Sequence, residues 1–95
     1  MPTYILFSVL SPQGIQTLKA TPERVLEVNR EIEEMGASVV QQWALLGSYD
    51  FMTIVEAPDE RVLMRVSSEL AARGSALVES VTVIPVDDLI GDLTS

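Results

Sequence analysis

The sequence predicts an α+β domain in which four antiparallel strands form one sheet and two helices lie on one face of that sheet. Four stretches are rich in β-branched and aromatic residues, which is typical of strands. Two other stretches carry apolar residues at intervals of three, four and seven positions, which is typical of helices with one buried side. A chain of 95 residues is long enough for one domain with one hydrophobic core.

The first half of the chain predicts a strand followed by helical structure. The strand covers residues 3–10, and a short helical turn follows over residues 12–19. Thr21-Pro22 places an N-cap residue before a proline at the first helical position, so we expect the main helix over residues 22–35. Gly36 supplies the C-cap that ends this helix.

The second half predicts two strands, a helix and a last strand. The two strands cover residues 38–46 and 50–57. The second helix begins after Asp59, the expected N-cap, and ends at Arg73-Gly74, a cation followed by a C-cap glycine. The fourth strand follows over residues 76–86.

The order of these elements is β-α-β-β-α-β, which is the order of the ferredoxin-like fold. We therefore expect one ferredoxin-like domain over residues 1–88. Residues 89–95 are predicted to form an acidic C-terminal tail.

Gly47 and Ser48 lie between the second and third strands. A glycine at the first central position favours a two-residue type II′ hairpin, which sets Leu45 opposite Asp50 and Trp43 opposite Met52. This register predicts one face of mixed composition and one face that meets the helices. The mixed face comprises Gln41, Trp43, Asp50, Met52 and Glu56, and the helix-facing set comprises Tyr49, Phe51, Thr53 and Val55.

Both faces of the predicted sheet are apolar. Two helices cover only one face, and a monomer seldom exposes a large apolar patch. We therefore expect a homo-oligomer, either a dimer or a multiple of dimers, with two sheets packed face to face. The alternative is that the C-terminal tail folds back over this face, but so few residues cannot cover four strands. The first strand shows the apolar character of both faces: one face receives Ile5, Phe7 and Val9, the other receives Tyr4, Leu6, Ser8 and Leu10, and both sets contain large apolar side chains.

The composition excludes several classes of function. The formal net charge of −8 repels nucleic acid and anionic membrane surfaces, so neither is an expected partner. The absence of Cys and His removes disulfides, zinc sites and every His-based catalytic base. We expect no cofactor and no metal, although aspartates such as those at positions 87, 88 and 92 are of the type that binds Mg²⁺ or Ca²⁺. With no signal peptide at the N-terminus and no apolar run of membrane-spanning length, we expect a cytoplasmic protein.

Several motifs resemble those of the GYD domain family. Gly47, Tyr49 and Asp50 are followed by the segment IVEAPD at residues 54–59, and the segment QGIQTLKATPERV at residues 13–25 is similar to the family's first helical region. The likeness covers about residues 2–88, and Ser48 departs from the family's Gly-Tyr-Asp order. The resemblance implies a ferredoxin-like fold in the dimeric α+β barrel group. It implies no particular reaction.

Six residues are candidates for ligand binding, and each has a simpler structural role beside the functional one. Tyr49 and Asp50 could form an acid–base pair, or Asp50 could be a strand-end carboxylate that binds backbone N–H groups. Trp43 could stack on a planar ligand with Tyr4 and Met52 lining the same space, or it could be an interface aromatic. Lys19 could receive an anionic ligand or pair with Asp50, or it could interact with the helix dipole. The six are Tyr4, Lys19, Trp43, Tyr49, Asp50 and Glu56.

The sequence fits two main functions. The first is a non-catalytic module that binds a small molecule or a protein partner and is built on a sheet-to-sheet dimer. The alternative is a cofactor-independent enzyme, similar to small monooxygenases and isomerases of the same barrel group, with a pocket near Asp50 and Trp43. A purely structural assembly unit is a third interpretation, and the fold alone does not choose among the three.

Overall fold

Four strands form one antiparallel sheet. The structure is a computed structural model that describes residues 1–95. The strands are β1 (Thr3–Leu10), β2 (Ser38–Ala44), β3 (Phe51–Glu56) and β4 (Ala76–Thr82). Their order in the sheet is β2-β3-β1-β4, so β1 and β3 are central and the crossover connections place β4 beside β1. This topology confirms the predicted ferredoxin-like fold.

Three helices lie against one face of this sheet: α1 (Pro12–Ala20), α2 (Arg24–Glu34) and α3 (Glu60–Ala72). The hydroxyl of Ser11 caps α1 by accepting a hydrogen bond from the Gly14 N–H at 3.0 Å. Asp59 caps α3 as predicted, because its carboxylate accepts a hydrogen bond from the Arg61 N–H at 3.0 Å. These caps satisfy backbone donors that a helix leaves unpaired in its first turn.

The hydrophobic core lies between the sheet and helices α2 and α3. Burial of each large apolar side chain there contributes roughly 1.5–3 kcal/mol. α3 supplies three buried residues, α2 supplies one and α1 supplies none, so the packing is tightest under α3. The core side chains are Tyr4, Leu6, Ile32, Ala37, Val55, Ala57, Leu63, Val66 and Leu70.

The main helix begins later than predicted. Thr21 was expected to cap it, but Pro22 lies in a turn, and the Arg24 N–H donates to the backbone oxygen of Thr21 at 3.0 Å. Glu23 occupies the N-cap position and makes no side-chain capping bond. The segment therefore enters α2 through a tight turn, and the helix itself starts at Arg24.

The C-terminal region departs most from the prediction. β4 ends at Thr82, before the expected end at residue 86, and the predicted acidic tail forms a helix, α4 (Val86–Thr94). Acidic residues in its first turn, Asp87 and Asp88, interact favourably with the helix dipole. The apolar side chains of α4 are not covered by the rest of the chain, so this segment does not fold back over the sheet. Leu89, Ile90 and Leu93 are 49%, 54% and 76% exposed.

The hairpin between β2 and β3 has the predicted register but a different turn. Trp43 lies opposite Met52, and the Leu45 N–H donates to the Asp50 backbone oxygen at 2.8 Å. Gly47 has a φ of +154°, a value that favours glycine but lies far from the roughly +60° of a type II′ turn, so the predicted turn type is wrong. A β-bulge leaves Val40 without a partner in β3.

Asp50 fastens the end of this hairpin to the central strand β1. Its N–H donates to the Ser8 backbone oxygen at 2.8 Å, and its carboxylate oxygen Oδ2 accepts a hydrogen bond from the Leu10 N–H at 2.8 Å. Both bonds continue the β1–β3 ladder past the last regular pair, Ser8 and Phe51. The side chain of Asp50 thus replaces a backbone acceptor where the strands diverge.

A substitution of Gly14 by alanine tests the close approach of α1 to the loop before β4. A Cβ atom at this position would lie 2.3 Å from the backbone oxygen of Ser75, and that oxygen already accepts the Ser11 N–H at 3.1 Å. We expect Gly14→Ala to lower the free energy of unfolding by about 1–3 kcal/mol in urea denaturation. The control is Gly91→Ala in α4, where nothing lies within 4 Å. Equal stability of the two variants would contradict the contact.

Substitutions of Asp50 test its bond to β1. Asp50→Ala leaves the Leu10 N–H without its acceptor, and we expect a loss of about 1–2 kcal/mol in the free energy of unfolding. Asp50→Asn retains an oxygen at the same place, so its loss should be clearly smaller. Chemical denaturation of both variants measures the difference. An alanine variant as stable as the native chain would show that the bond contributes nothing.

Candidate functional site

The sheet surface opposite α1, α2 and α3 is called here the helix-free face. Ile5, Phe7 and Val9 belong to it because their neighbours Tyr4 and Leu6 point into the core, and successive residues of a strand point to opposite sides. Residues paired directly across the strands share the same side. Its apolar members are Ile5, Phe7, Val9, Trp43, Met52, Ile54, Leu77 and Val81, and its polar members are Thr3, Ser38, Gln41, Glu56 and Glu79.

Trp43 lies on the helix-free face and is 39% exposed. Its cross-strand partner Met52 and, beyond it, Phe7 of β1 continue an apolar surface across three strands. Leu77 extends the surface onto β4 and is 70% exposed. Aromatic residues and methionine are enriched at the centres of protein interfaces, so the residue types fit a contact with another protein surface.

Tyr49 lies on the helix-free face, contrary to the prediction that it faces the helices. Its ring packs against the ring of Phe7, with 4.8 Å between the ring centroids, and its hydroxyl donates a hydrogen bond to the carboxylate of Glu79. The strand alternation used for the prediction does not extend to Tyr49, because this residue lies in the loop before β3. The hydrogen bond to Glu79 raises the pKa of Tyr49, so the phenol stays protonated at neutral pH.

Tyr4 does not line the same space as Trp43. It is 2% exposed and belongs to the core on the helix side of the sheet, because its position in β1 has the opposite parity to Phe7. Burial, and then the nearby carboxylate of Glu60, raises the pKa of Tyr4. The grouping of Tyr4 with Trp43 and Met52 around one ligand is therefore wrong.

The remaining candidates are dispersed. Asp50 uses its carboxylate to bind the Leu10 N–H, at the end of the sheet. Lys19 is exposed in the last turn of α1, where the helix dipole favours a cation. Glu56 ends β3 at the opposite end of that strand from Asp50. The structure thus places Tyr49 on the same surface as Trp43. Asp50 binds the backbone of β1 and Tyr49 binds Glu79, so the two residues do not form an acid–base pair.

A cleft between the sheet and the α1–α2 layer was not predicted from the sequence. It has a volume of about 120 Å³ and opens to solvent along one side. Its walls are mainly apolar, with Leu10, Leu18, Val28 and Phe51 among the lining residues, and neither Trp43 nor Asp50 reaches it. The only hint in the sequence is the weak apolar content of α1, which buries no residue against the sheet.

Polar side chains form a network at the base of the cleft. The amides of Asn29 and Gln42 bond each other reciprocally, at 2.8 and 3.2 Å. Gln42 Nε2 also donates to the hydroxyl of Thr53 at 2.9 Å, which links α2, β2 and β3. Such a bonded network in a partly buried place fixes the orientation of both amides.

One charged residue, Arg24, lines the cleft, and it is paired. Its guanidinium donates to Glu27 at 2.8 Å and to Glu31 at 3.3 Å, and Glu31 also accepts a hydrogen bond from Arg73 of the α3 C-terminus. The bond from Arg73 lowers the pKa of Glu31, with Arg24 adding to the effect. The bond to Glu27, with Glu31 adding to it, raises the pKa of Arg24, so Arg24 and Glu31 are both ionised at neutral pH.

The structure offers no group of three or more carboxylates that could hold a metal ion. None of its helices combines the length and the apolar character needed to cross a bilayer.

Comparison with known proteins identifies the family of the chain. The GYD domain family model matches residues 4–91. A protein of Thermus thermophilus, named glutamine synthetase and cystathionine beta-lyase binding protein, is 47% identical over 94 residues, which is 98% of this chain and 99% of that protein. The crystal structure of TTHA0845, also from Thermus thermophilus, shares the fold, with a TM-score of 0.56 and 20% identity over 90% of this chain and 95% of that one. The chain belongs to the GYD domain family.

Proposed function

We propose that this protein is a protein-binding module that forms a sheet-to-sheet homodimer through the helix-free face and binds metabolic enzymes, namely a glutamine synthetase and a cystathionine β-lyase. The observation that carries the proposal is the apolar helix-free face. The Thermus thermophilus relative, whose name records binding to these two enzymes, supports the identity of the partners because it matches the chain over nearly its whole length.

The apolar side chains of the helix-free face support the proposed dimer. Eight apolar side chains from all four strands lie there; Tyr49 packs against Phe7, and Val9, Trp43 and Leu77 are exposed to solvent. Burial of each is worth roughly 1.5–3 kcal/mol when complete. A second copy supplies an identical apolar sheet in a two-fold arrangement, as in the dimeric α+β barrel group.

The carboxylates on the helix-free face are compatible with this contact. Glu79 is on the edge strand β4 and accepts a hydrogen bond from Tyr49, so its charge has a partner within the same chain. Glu56 is the last residue of β3, at the margin of the face, where a carboxylate can remain solvated. Neither carboxylate needs a cation from the second copy.

The dimer leaves the helical surfaces free for enzyme partners. These surfaces are acidic: α2 alone carries Glu27, Glu31, Glu33 and Glu34, and the whole chain has a formal net charge of −8. Such a surface attracts partners that present clustered lysines and arginines. This attraction raises the rate of association at low salt.

The binding function is favoured over the enzymatic alternative with a pocket near Asp50 and Trp43. Asp50 is engaged with the backbone of β1, and Trp43 lies on the apolar face that the proposal assigns to the dimer. An acid–base role would require a carboxylate free to exchange a proton with a substrate.

The oligomeric state tests the first part of the proposal. We expect two copies per particle in sedimentation equilibrium at micromolar concentration. Ile54→Glu places a charge at the centre of the helix-free face and should weaken association by at least about a hundredfold, since an unpaired buried charge costs several kcal/mol. Leu26→Glu, at an exposed apolar position of α2, is the matched control and should remain dimeric. A native chain that sediments as a single copy would overturn the dimer, and circular dichroism shows whether each variant is folded.

Direct binding to the two purified enzymes tests the second part. We expect glutamine synthetase and cystathionine β-lyase from the same organism to bind the immobilised chain in surface plasmon resonance. The association rate should fall when salt rises from about 0.05 M to about 0.5 M, because salt screens the acidic surface. An unrelated basic protein of similar size serves as the control for non-specific attraction. Failure of both enzymes to bind at micromolar concentration would contradict the proposed partners.

A further inference from the structure

The cleft between the sheet and the α1–α2 layer is a second place where the molecule can bind something, on the opposite side of the sheet from the helix-free face. It is lined by α1, α2 and strands of the sheet, so a ligand there would contact both the sheet and the helices. Its volume of about 120 Å³ is close to that of an engineered protein cavity of about 150 Å³ that binds benzene. The space therefore suits a single six-membered ring.

The electrostatics of the cleft favour an uncharged ligand. Arg24 is the sole charged residue in the lining, and its guanidinium is already bonded to Glu27 and Glu31. A bound anion would compete with these two carboxylates for Arg24, and a bound cation would meet only apolar walls and amides. The cleft has no free partner for either charge, whereas moving a neutral ring from water into the cleft costs little free energy.

The polar network at the base of the cleft leaves two hydrogen-bond donors without acceptors. Thr53 is 3% exposed, and its hydroxyl accepts a hydrogen bond from Gln42 Nε2 at 2.9 Å. The hydroxyl hydrogen itself has no acceptor among the side chains and backbone of the protein, since that bond from Gln42 is the one its oxygen makes. Asn29 Nδ2 uses one of its two hydrogens on Gln42 and has a second to donate. Thr53 and Asn29 both line the cleft, and each has a hydrogen that the protein leaves without an acceptor.

We propose that this cleft binds a small uncharged ring compound that carries a carbonyl oxygen, and that this oxygen accepts hydrogen bonds from Thr53 and Asn29. The ring lies against the apolar side chains of Leu10, Val28 and Phe51. This binding goes beyond the protein-binding role and does not depend on it, because the cleft is built entirely from one copy and lies away from the helix-free face.

Benzamide is the probe that tests the cleft, with benzoate as its charged counterpart of the same shape. The full chain labelled with ¹⁵N is titrated with each compound and followed by NMR. We expect saturable shifts of the Asn29 and Gln42 side-chain amide signals with benzamide, and binding at least about tenfold weaker with benzoate. Shifts confined to Trp43 and its neighbours, or equal binding of the two compounds, would overturn the proposal.

Two variants connect the binding to the cleft. Thr53→Val removes the hydroxyl at nearly constant volume and should weaken benzamide binding about tenfold, the value of one hydrogen bond to a buried group. Val25→Phe fills the cleft from α2 and should abolish the shifts, while Leu26→Phe, on the exposed side of the same helix, should leave them unchanged. Unaltered binding in folded Val25→Phe would overturn the assignment even where Thr53→Val does not fold.

The outcome is separable from the proposed function. The Ile54→Glu variant, designed to disrupt the dimer, should bind benzamide as the native chain does, because Ile54 is on the other side of the sheet. Loss of benzamide binding in that variant, with the fold retained, would show that the cleft needs the dimer and would overturn the claim that one copy suffices.

Discussion

The alternation of side chains along β1 is the constraint on which the rest of the structure depends. β1 is a central strand with neighbours on both edges, so its residues determine the composition of both sheet surfaces. Tyr4 and Leu6 anchor the core beneath α2 and α3, while Ile5 and Phe7 form the middle of the helix-free face. A one-residue slip of this strand would exchange the two sets and destroy the core and the candidate interface together.

Residues in the regular strands were predictable, and so was the Asp59 cap of α3, whereas a residue in the loop between β2 and β3 was not. The register around Trp43 was predicted from a hairpin centred on Gly47 and Ser48, and the face of Trp43 follows because side chains in a regular strand alternate between the two faces. Tyr49 was assigned to the wrong side because the chain leaves the extended conformation between Leu45 and Phe51. Successive side chains there no longer alternate between the two faces of the sheet. The error matters for function, since it moves an aromatic ring from the core to the helix-free face.

α4 and the cleft were missed for different physical reasons. The apolar spacing of α4, at Val86, Leu89, Ile90 and Leu93, is helical, but the aspartates between these positions favoured the interpretation of an acidic tail. The cleft has only a weak signature in the sequence, the low apolar content of α1, because it arises from the distance between two layers. α3 buries three side chains against the sheet and α1 buries none, so the helical layer is tight on one side and open on the other.

The bulge at Val40 has a consequence for how copies of this chain can meet. β2 is an edge strand, and an uninterrupted edge offers a row of backbone donors and acceptors to which another strand can add. The unpaired residue breaks that row and bends the strand, so growth by strand addition at β2 is hindered. Contact through a sheet surface joins a fixed number of molecules and then stops, whereas contact through strand edges can propagate into a fibre. An irregularity of one residue thus makes this edge of the sheet a poor template for a further strand.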